Sequence, residues 1–360
     1  MGVLQVPGTA AAVLAALGEA LSGRGGAFVP VPDDAAQARR VLAAAQPDEP
    51  LESDCAVVLP TSGSTGEPKA VLLTAGALRA SATATHDRLG GPGQWLLAMP
   101  AYLVAGLQVL TRSLVAGTSP VVAEGNFAAA AAAMTGERRY TALVPTQLKR
   151  LLDTDAVALR SFDAVLVGGA AVPPALLSAA EAAGVRVVRT YGMTETGGGC
   201  VYDGLPLGGV SVDIVDDRVV IGGPVLFSGY RLRPDLTAQA LVDGRFRTQD
   251  AGRIGSGGRL QVLGRVDDMV VSGGVNVPLP AVQRRVLEHP AVRDAAVLGV
   301  PDEEWGTRVV AYVVGHVPLA ELRDFVAEAL PRTWAPRQVV VLDELPMLAS
   351  GKVDRQALLR

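Results

Sequence analysis

The sequence predicts an α/β fold: a large N-terminal domain of mostly parallel sheets flanked by helices, with a distorted β subdomain, and a small α+β C-terminal domain. Three observations carry this. Strand-like runs alternate with helical ones through the first half, which implies a mostly parallel sheet covered on both faces. After Gly208 the pattern changes to short alternating strands separated by turn residues. From about Asp268 the order becomes helix, strand, strand, helix, strand. The expected domains are 1–266, with 207–266 as the β-rich part, and 267–360.

In the first half the candidate strands are Ala56–Leu59, Trp95–Met99, Pro120–Val122, Ala142–Val144, Ala164–Val167 and Val185–Arg189. Apolar-periodic stretches between them include Thr74–Leu89, Gln147–Leu152 and Pro173–Ala183. Ser211–Ile221 reads as a hairpin turning at Asp216–Asp217, and Arg245–Arg265 as one turning at Gly255–Gly258. Asp and Gly accept the left-handed conformations that such turns need. The last unit is expected to hold helices at Leu279–Leu287 and Leu319–Ala329 and strands at Asp294–Val300, Val309–Val314 and Gln338–Leu342. The apolar N-terminus has no early Lys or Arg and is interrupted by Glu19. It reads as a helix rather than a signal peptide. The Ala-rich Phe127–Met134 segment reads as a buried helix, and no run reaches the roughly 20 apolar residues of a membrane span.

The 360 residues allow two or three domains. Net charge is −4 with no basic stripe, which argues against a nucleic-acid partner. Cys55 and Cys200 form no spaced pair, so neither a disulfide framework nor a zinc site is expected, and a reducing cytoplasm fits. His86, His289 and His316 lie in no motif and are expected to be surface or satisfied residues.

Thr61 to Lys69 reads TSGSTGEPK and is the stretch richest in chemistry. Glycines allow sharp turns, and backbone N–H groups in such a turn make a nest for phosphate. Thr61, Ser62, Ser64 and Thr65 add hydroxyls around Gly63 and Gly66, and Lys69 adds a positive charge. The spacing is not that of the Walker loop. A linker has a similar composition, but here the strand-like Ala56–Leu59 precedes the loop and the apolar Ala70–Leu73 follows it.

Further motifs follow in order: YGMTET at Tyr191–Thr196, TQDAG at Thr248–Gly252, GRVDD at Gly264–Asp268 followed by SGGVNV, and LPMLASGK at Leu345–Lys352. With the loop, they resemble the adenylate-forming superfamily of acyl- and aryl-CoA ligases, luciferases and peptide-synthetase adenylation domains. The resemblance covers nearly the whole chain. MPAYLVAGLQVL (Met99–Leu110), VPTQLKRLL (Val144–Leu152) and TYGMTETGGGCVYDGLPLGGV (Thr190–Val210) most resemble the branch that activates o-succinylbenzoate in menaquinone biosynthesis.

The resemblance implies ATP, Mg²⁺ and coenzyme A acting with a small carboxylic acid. Adenylation of the acid with release of pyrophosphate comes first, then displacement of AMP by the CoA thiol. The 61–69 loop would hold the β- and γ-phosphates. Glu195, beside Thr194, would be the Mg²⁺ ligand; a helix-start acid is the plainer alternative. Tyr191, Gly192 and Met193 would pack against adenine, with Gly168, Gly169 and Ala170 on its other side; a strand-to-helix turn is the plainer account of that second group. Asp250 would grip the ribose and Arg265 would lie near ribose or phosphate, the alternative being a salt bridge to Asp267 or Asp268. Lys352 would bridge the incoming carboxylate and the α-phosphate. The C-terminal domain would rotate about the hinge Asp267, and Gly273 and Gly274 would line the thiol path.

One departure stands out. Where the family commonly carries an aromatic or histidine, often a His pair, this chain has Tyr102 and Leu103. The acyl pocket is expected from parts of 99–107, including Gly106, 144–149 and 190–200. A second substrate carboxylate wants a cation or several donors. Thr146, Lys149 and the backbone of Gly197, Gly198 and Gly199 are candidates among which the sequence does not choose. Other readings are an aryl- or fatty-acyl-CoA ligase, a non-catalytic acyl-adenylate-binding protein, and a nucleotide-binding module unrelated to ligation. The portion before the loop is short, which leaves open a homodimer that covers exposed core.

Overall fold

The computed structural model describes residues 2–52, 54–61, 69–346 and 353–359. The phosphate-loop candidates Ser62, Gly63, Ser64, Thr65 and Gly66, and the candidate Lys352, lie outside them. The chain divides into two compact units. The first comprises Met1–Asp213, Val220–Arg247 and Ser256–Leu260, and the second Ile214–Val219, Thr248–Gly255 and Gln261–Arg360.

The first unit holds two sheets. In one, Leu4–Pro7, Phe28–Val31 and Val57–Thr61 run parallel. Lys69–Leu73 and Gly229–Tyr230 then add antiparallel. The other has seven strands. Its centre is parallel: Gln94–Leu97, Arg139–Leu143, Ala164–Val167 and Val187–Met193. Gly198–Tyr202 folds back antiparallel on Val187–Met193. Both faces of the central strands are covered. Trp95, Leu97, Tyr140 and Leu166 pack on one side, and Leu96, Leu143, Val165 and Val167 on the other. Double burial explains why these strands read as continuous apolar runs rather than alternating ones.

Two helices matter for the site. Ala75–Leu89 starts at Thr74, whose hydroxyl accepts from the Ala77 N–H at 3.0 Å, and ends at Gly90 in the left-handed region. Val104–Ala116 is buried from Gly106 to Ser113. Its Thr111 and Ser113 hydroxyls donate to the Leu107 and Val109 carbonyls, each at 2.9 Å, so these two polar groups are satisfied within the helix. Gln108 and Arg112, four residues apart, remain on one face.

The N-terminal expectation needs correction. Leu4–Pro7 is a strand and the helix begins only at Ala10. Parallel pairing with Phe28–Val31 captures the short apolar run, and Thr9 caps the helix that follows. The β-rich segment has the strand order Ser211–Val215, Arg218–Gly222, Arg245–Ile254, Leu241–Val242, with Leu260–Arg265 also paired to Arg245–Ile254. Asp216 and Asp217 form its turn at φ 50° and 62°, as a type I′ hairpin requires.

In the second unit Val292–Asp302 and Gly306–Gly315 pair antiparallel, and Gln338–Leu342 adds parallel to the latter. Leu279–Leu287 and Leu319–Ala327 bring Val282, Val286, Leu322 and Val326 onto Val297, Ala311 and Val313. Among the described residues no helix is long and apolar enough to cross a membrane.

Candidate active site

The first unit brings three of the predicted elements together. Thr61 and Lys69 face each other across the hairpin that flanks the phosphate-loop candidate, and the Thr61 hydroxyl donates to the Lys69 carbonyl at 3.4 Å. Tyr230 sits on the next strand, opposite Val71. The Lys69 ammonium lies 5.3 Å from the centre of its ring. The Tyr230 hydroxyl donates to Glu195 Oε1 at 2.9 Å. Lys69, Tyr230 and Glu195 thus form one line, and the other Glu195 oxygen carries no hydrogen bond among the described residues. Sequence reasoning missed Tyr230, which lies in none of the quoted motifs.

Glu195 is presented by a strand end. Tyr191, Gly192 and Met193 close the Val187–Met193 strand, and Thr194–Thr196 make a 3₁₀ turn. The Thr196 hydroxyl accepts from the Met193 N–H at 3.0 Å and donates to the Gly198 carbonyl at 2.7 Å. A Cβ on Gly192 would fall 2.1 Å from that carbonyl oxygen, and one on Gly168 would fall 2.2 Å from Thr190 Oγ1. Glycine is therefore required at both strand ends for close packing. Gly169, at φ +80°, and Ala170 follow on the surface.

Beside these strand ends lies a pocket of about 110 Å³. Met99, Val104, Ala105, Gln108 and Arg112 line one side of it. The strand residues Leu143, Leu166, Thr190, Gly192, Gly198, Gly199 and Tyr202 line the others, with Gly168 and Gly169. Two glycine groups that the sequence assigned to different tasks, 168–169 and 198–199, therefore border one cavity.

The pocket's cation is Arg112, which the sequence reading did not single out. Its side chain is 3 % exposed. Nη2 donates to the Tyr202 hydroxyl oxygen at 3.4 Å, the guanidinium lies 4.9 Å from the Trp95 ring centre, and Nε has no partner among the described residues. No carboxylate pairs with it among the described residues, and burial lowers its pKa from the ordinary arginine value. A buried, uncompensated cation is costly and arginine cannot shed its proton, so its place on a pocket wall suits an anionic ligand. Gln108 adds a second polar group, with its amide N–H on the Gly197 carbonyl and Oε1 unpartnered among the described residues. The available signal was the pair Gln108 and Arg112, the two long polar side chains of Val104–Ala116.

Other candidates lie elsewhere. Thr146 is exposed, and Lys149 points outward, 3.6 Å from Asp153; neither lines the pocket. Gly106 is a packing glycine, since a Cβ there would fall 2.1 Å from the Pro100 carbonyl oxygen. Leu103 is 49 % exposed, and Tyr102 packs on Gly8, where a Cβ would come within 2.9 Å of its ring. The polar groups of the pocket are thus supplied from residues other than 102 and 103. Burial pushes the Cys55 and Cys200 thiols up to about 12, so neither is a poised nucleophile.

In the second unit Arg265 and Asp250 come together, with Nη1 3.7 Å from Oδ1. Asp250 follows Thr248, whose hydroxyl donates to the Val219 carbonyl at 2.9 Å and accepts from the Asp250 N–H at 3.0 Å. Gly273 and Gly274 turn the Met269–Ser272 and Val275–Pro278 hairpin at φ +58° and +77°. A Cβ on Gly273 would meet the Trp305 ring at 2.6 Å. Asp267 lies in the 3₁₀ turn Val266–Asp268.

Residues 11–234 match the family model of AMP-binding enzymes, and residues 282–352 the model of their C-terminal domain. A probable 2-succinylbenzoate–CoA ligase of Mycobacterium tuberculosis is 47 % identical over 383 aligned positions, which cover 100 % of this chain and 98 % of that one. The o-succinylbenzoate CoA synthetase of Bacillus subtilis, solved with the acyl-adenylate intermediate OSB-AMP, is 27 % identical with a TM-score of 0.70, covering 96 % of this chain and 80 % of that one. The same enzyme solved with ATP and magnesium ion aligns at 27 % identity and a TM-score of 0.68, over 95 % and 81 % of the two chains. With both domain models met in order and a relative of nearly matching length, the chain belongs to the family of AMP-binding enzymes.

Proposed function

We propose that the chain is an AMP-forming acid–CoA ligase that activates o-succinylbenzoate for menaquinone biosynthesis in the cytoplasm. Arg112 is the observation that carries the substrate reading: a cation 3 % exposed on a pocket wall, suited to the carboxylate of a diacid that does not react. Charge-assisted hydrogen bonds of this kind are strong and directional. Anchoring one carboxylate at Arg112 orients the other for attack on the α-phosphorus of ATP, and orientation is a large part of catalysis for two reacting anions.

In the nucleotide half, Lys69 and the 61–69 loop take the terminal phosphates, while Tyr191, Gly192 and Gly168 flank the base. Glu195 fits a magnesium ligand, because it offers a carboxylate oxygen beyond the one that accepts from Tyr230, and magnesium needs one or two carboxylates completed by phosphate and water. Bound there, Mg²⁺ would neutralise phosphate charge. Asp250 takes the ribose hydroxyls with Arg265 beside it, and Lys352 bridges the carboxylate and the α-phosphate as charge develops. Asp267 is the proposed hinge for the thiol step, in which the CoA thiol attacks the acyl carbon and AMP leaves.

Pyrophosphate release from ATP and Mg²⁺ tests this across o-succinylbenzoate, benzoate and a medium-chain fatty acid, in wild type and Lys352→Ala. The expected outcome is release with o-succinylbenzoate that is lost in the variant. Release with another acid alone would keep the ligase and sink the substrate. Silence on all three with ATP still bound would favour a non-catalytic acyl-adenylate binder.

A further inference from the structure

We propose that Tyr202 and Thr85 are positioning residues that lock the Arg112 guanidinium for a substrate's second carboxylate, through a one-way chain of hydrogen bonds ending on the backbone. The inference rests on the reading of Arg112 given above. Arg112 Nη2 lies 3.4 Å from the Tyr202 oxygen. That oxygen is 3.0 Å from Thr85 Oγ1, and Thr85 Oγ1 is 2.8 Å from the Ser81 carbonyl oxygen.

The proton positions follow from the groups themselves. A carbonyl can only accept, so the single Thr85 hydroxyl proton points to Ser81. The Thr85 oxygen must then accept from Tyr202. The Tyr202 oxygen is left with lone pairs toward Arg112, which can only donate. Each hydroxyl has one orientation, and bonds aligned head to tail reinforce one another at low dielectric. Tyr202 and Trp95 are 1 % and 0 % exposed, so no bulk water competes for these bonds.

The face of the guanidinium is fixed independently. It lies over Trp95, whose indole N–H donates to His86 Nε2 at 3.2 Å. That bond needs Nε2 unprotonated, which keeps a second cation away from Arg112. Trp95 thus holds the plane and Tyr202 one edge, while Nε stays unpartnered among the described residues. A guanidinium held this way keeps one orientation on the pocket wall, whereas a loose one would lose rotamer freedom on each binding event. Tyr202 belongs to the GGGCVYDG segment, whose tyrosine so gains a physical task.

The test uses Tyr202→Phe, Thr85→Val and the double variant in the full-length enzyme, with KM for o-succinylbenzoate, KM for ATP and kcat read separately. Tyr202→Phe should raise the acid KM about fivefold to tenfold, the size expected for one lost hydrogen bond. The KM for ATP and kcat should stay within about twofold. Thr85→Val should move the acid KM in the same direction by less. The double variant should match Tyr202→Phe rather than the product of the two effects, because both act through one chain. The ligand-free melting temperature of each variant reports folding. Arg112→Met separates the two levels. Its failure to raise the acid KM, or no turnover of this acid by wild type, would sink the diacid reading itself. A raised KM in Arg112→Met with none in Tyr202→Phe and Thr85→Val would overturn the positioning role alone. A parallel fall of kcat and both KM-dependent rates in these variants would overturn it too, as the signature of general structural damage.

Discussion

Arg112 and Arg231 are both buried in the first unit, at 3 % and 2 % exposure, yet their surroundings are opposite. Arg231 donates to the carbonyls of Ala45, Gln46, Glu49 and Pro50 at 2.7 to 2.9 Å and to the Glu52 carboxylate. It ties down the turn after the Ala35–Ala45 helix and has a counter-ion. Among the described residues Arg112 has one long bond to a tyrosine, an aromatic face, an unpartnered Nε and a pocket beside it. Burial alone therefore says nothing about what an arginine is for. The account of its donors separates the two: those of Arg231 are matched by the fold, while Arg112 lines a cavity wall with no carboxylate partner among the described residues, which is what the proposed ligand role needs.

This contrast has its largest consequence in stability. Arg231→Met should cost about 3 to 5 kcal/mol, because Glu52 and several carbonyls lose their partner. Arg112→Met should lie within about 1 kcal/mol of wild type or above it, since an uncompensated buried charge is replaced by an apolar chain of similar reach. Urea midpoints with unchanged slope measure both. An Arg112 variant as unstable as the Arg231 variant would mean that both arginines are structural.

Activity should divide the pair the other way. Arg112→Met should lower kcat/KM for the diacid about 10- to 200-fold, the range for a lost charged hydrogen bond of about 1.5 to 3 kcal/mol. The loss should be concentrated in KM. Conditions in which Arg231→Met remains folded, such as lower temperature, should restore its activity to near the wild-type value. A folded Arg231 variant with a selectively raised acid KM would place that arginine in the site as well.

The sequence shows some parts of this arrangement and hides others for physical reasons. The Asp216–Asp217 hairpin, the Leu279–Leu287 helix and the Ala164–Val167 strand coincide with their expected positions, because turn chemistry and periodicity are local. The glycines of the quoted motifs were visible because close backbone packing restricts residue type strongly, as at Gly168 and Gly192. Leu4–Pro7 was hidden because a short apolar run fits strand and helix equally, and pairing with a partner 24 positions on decides it. Arg112 was hidden for a different reason. A polar residue four positions after Gln108 looks like the wet face of an amphipathic helix, and only the packing of Ala75–Leu89 and the seven-stranded sheet around Val104–Ala116 turns that face inward. Its partner Tyr202 arrives from 90 residues away.

The smallest expected effect is one of pH, and it again separates the two surroundings. Beside Arg112, burial and then the nearby guanidinium push the His86 imidazole down to about 4, with Asp87 acting weakly the other way. Its ordinary value is near 6.5. Between these two values the unfolded chain takes up a proton that the folded chain refuses. Stability should therefore be full above about 6.5, fall as pH drops toward about 4, and lose no more from this group below that. The slope is at most about 1.4 kcal/mol per pH unit. Beside Arg231 the window is lower. Burial alone would raise the Glu52 carboxyl, but hydrogen bonds from the Leu232 N–H and Arg231 outweigh it and hold the group below its ordinary 4.5. This contribution should persist until pH falls below that value and be lost as pH passes down through the folded-state value. Acid unfolding followed by urea midpoints should show both stages in wild type. His86→Gln should flatten the upper stage and leave the lower one, because glutamine can still accept from the Trp95 N–H yet takes up no proton in either state. An upper stage that survives the substitution would place its origin in another group, and would remove the neutral imidazole from the support of Arg112.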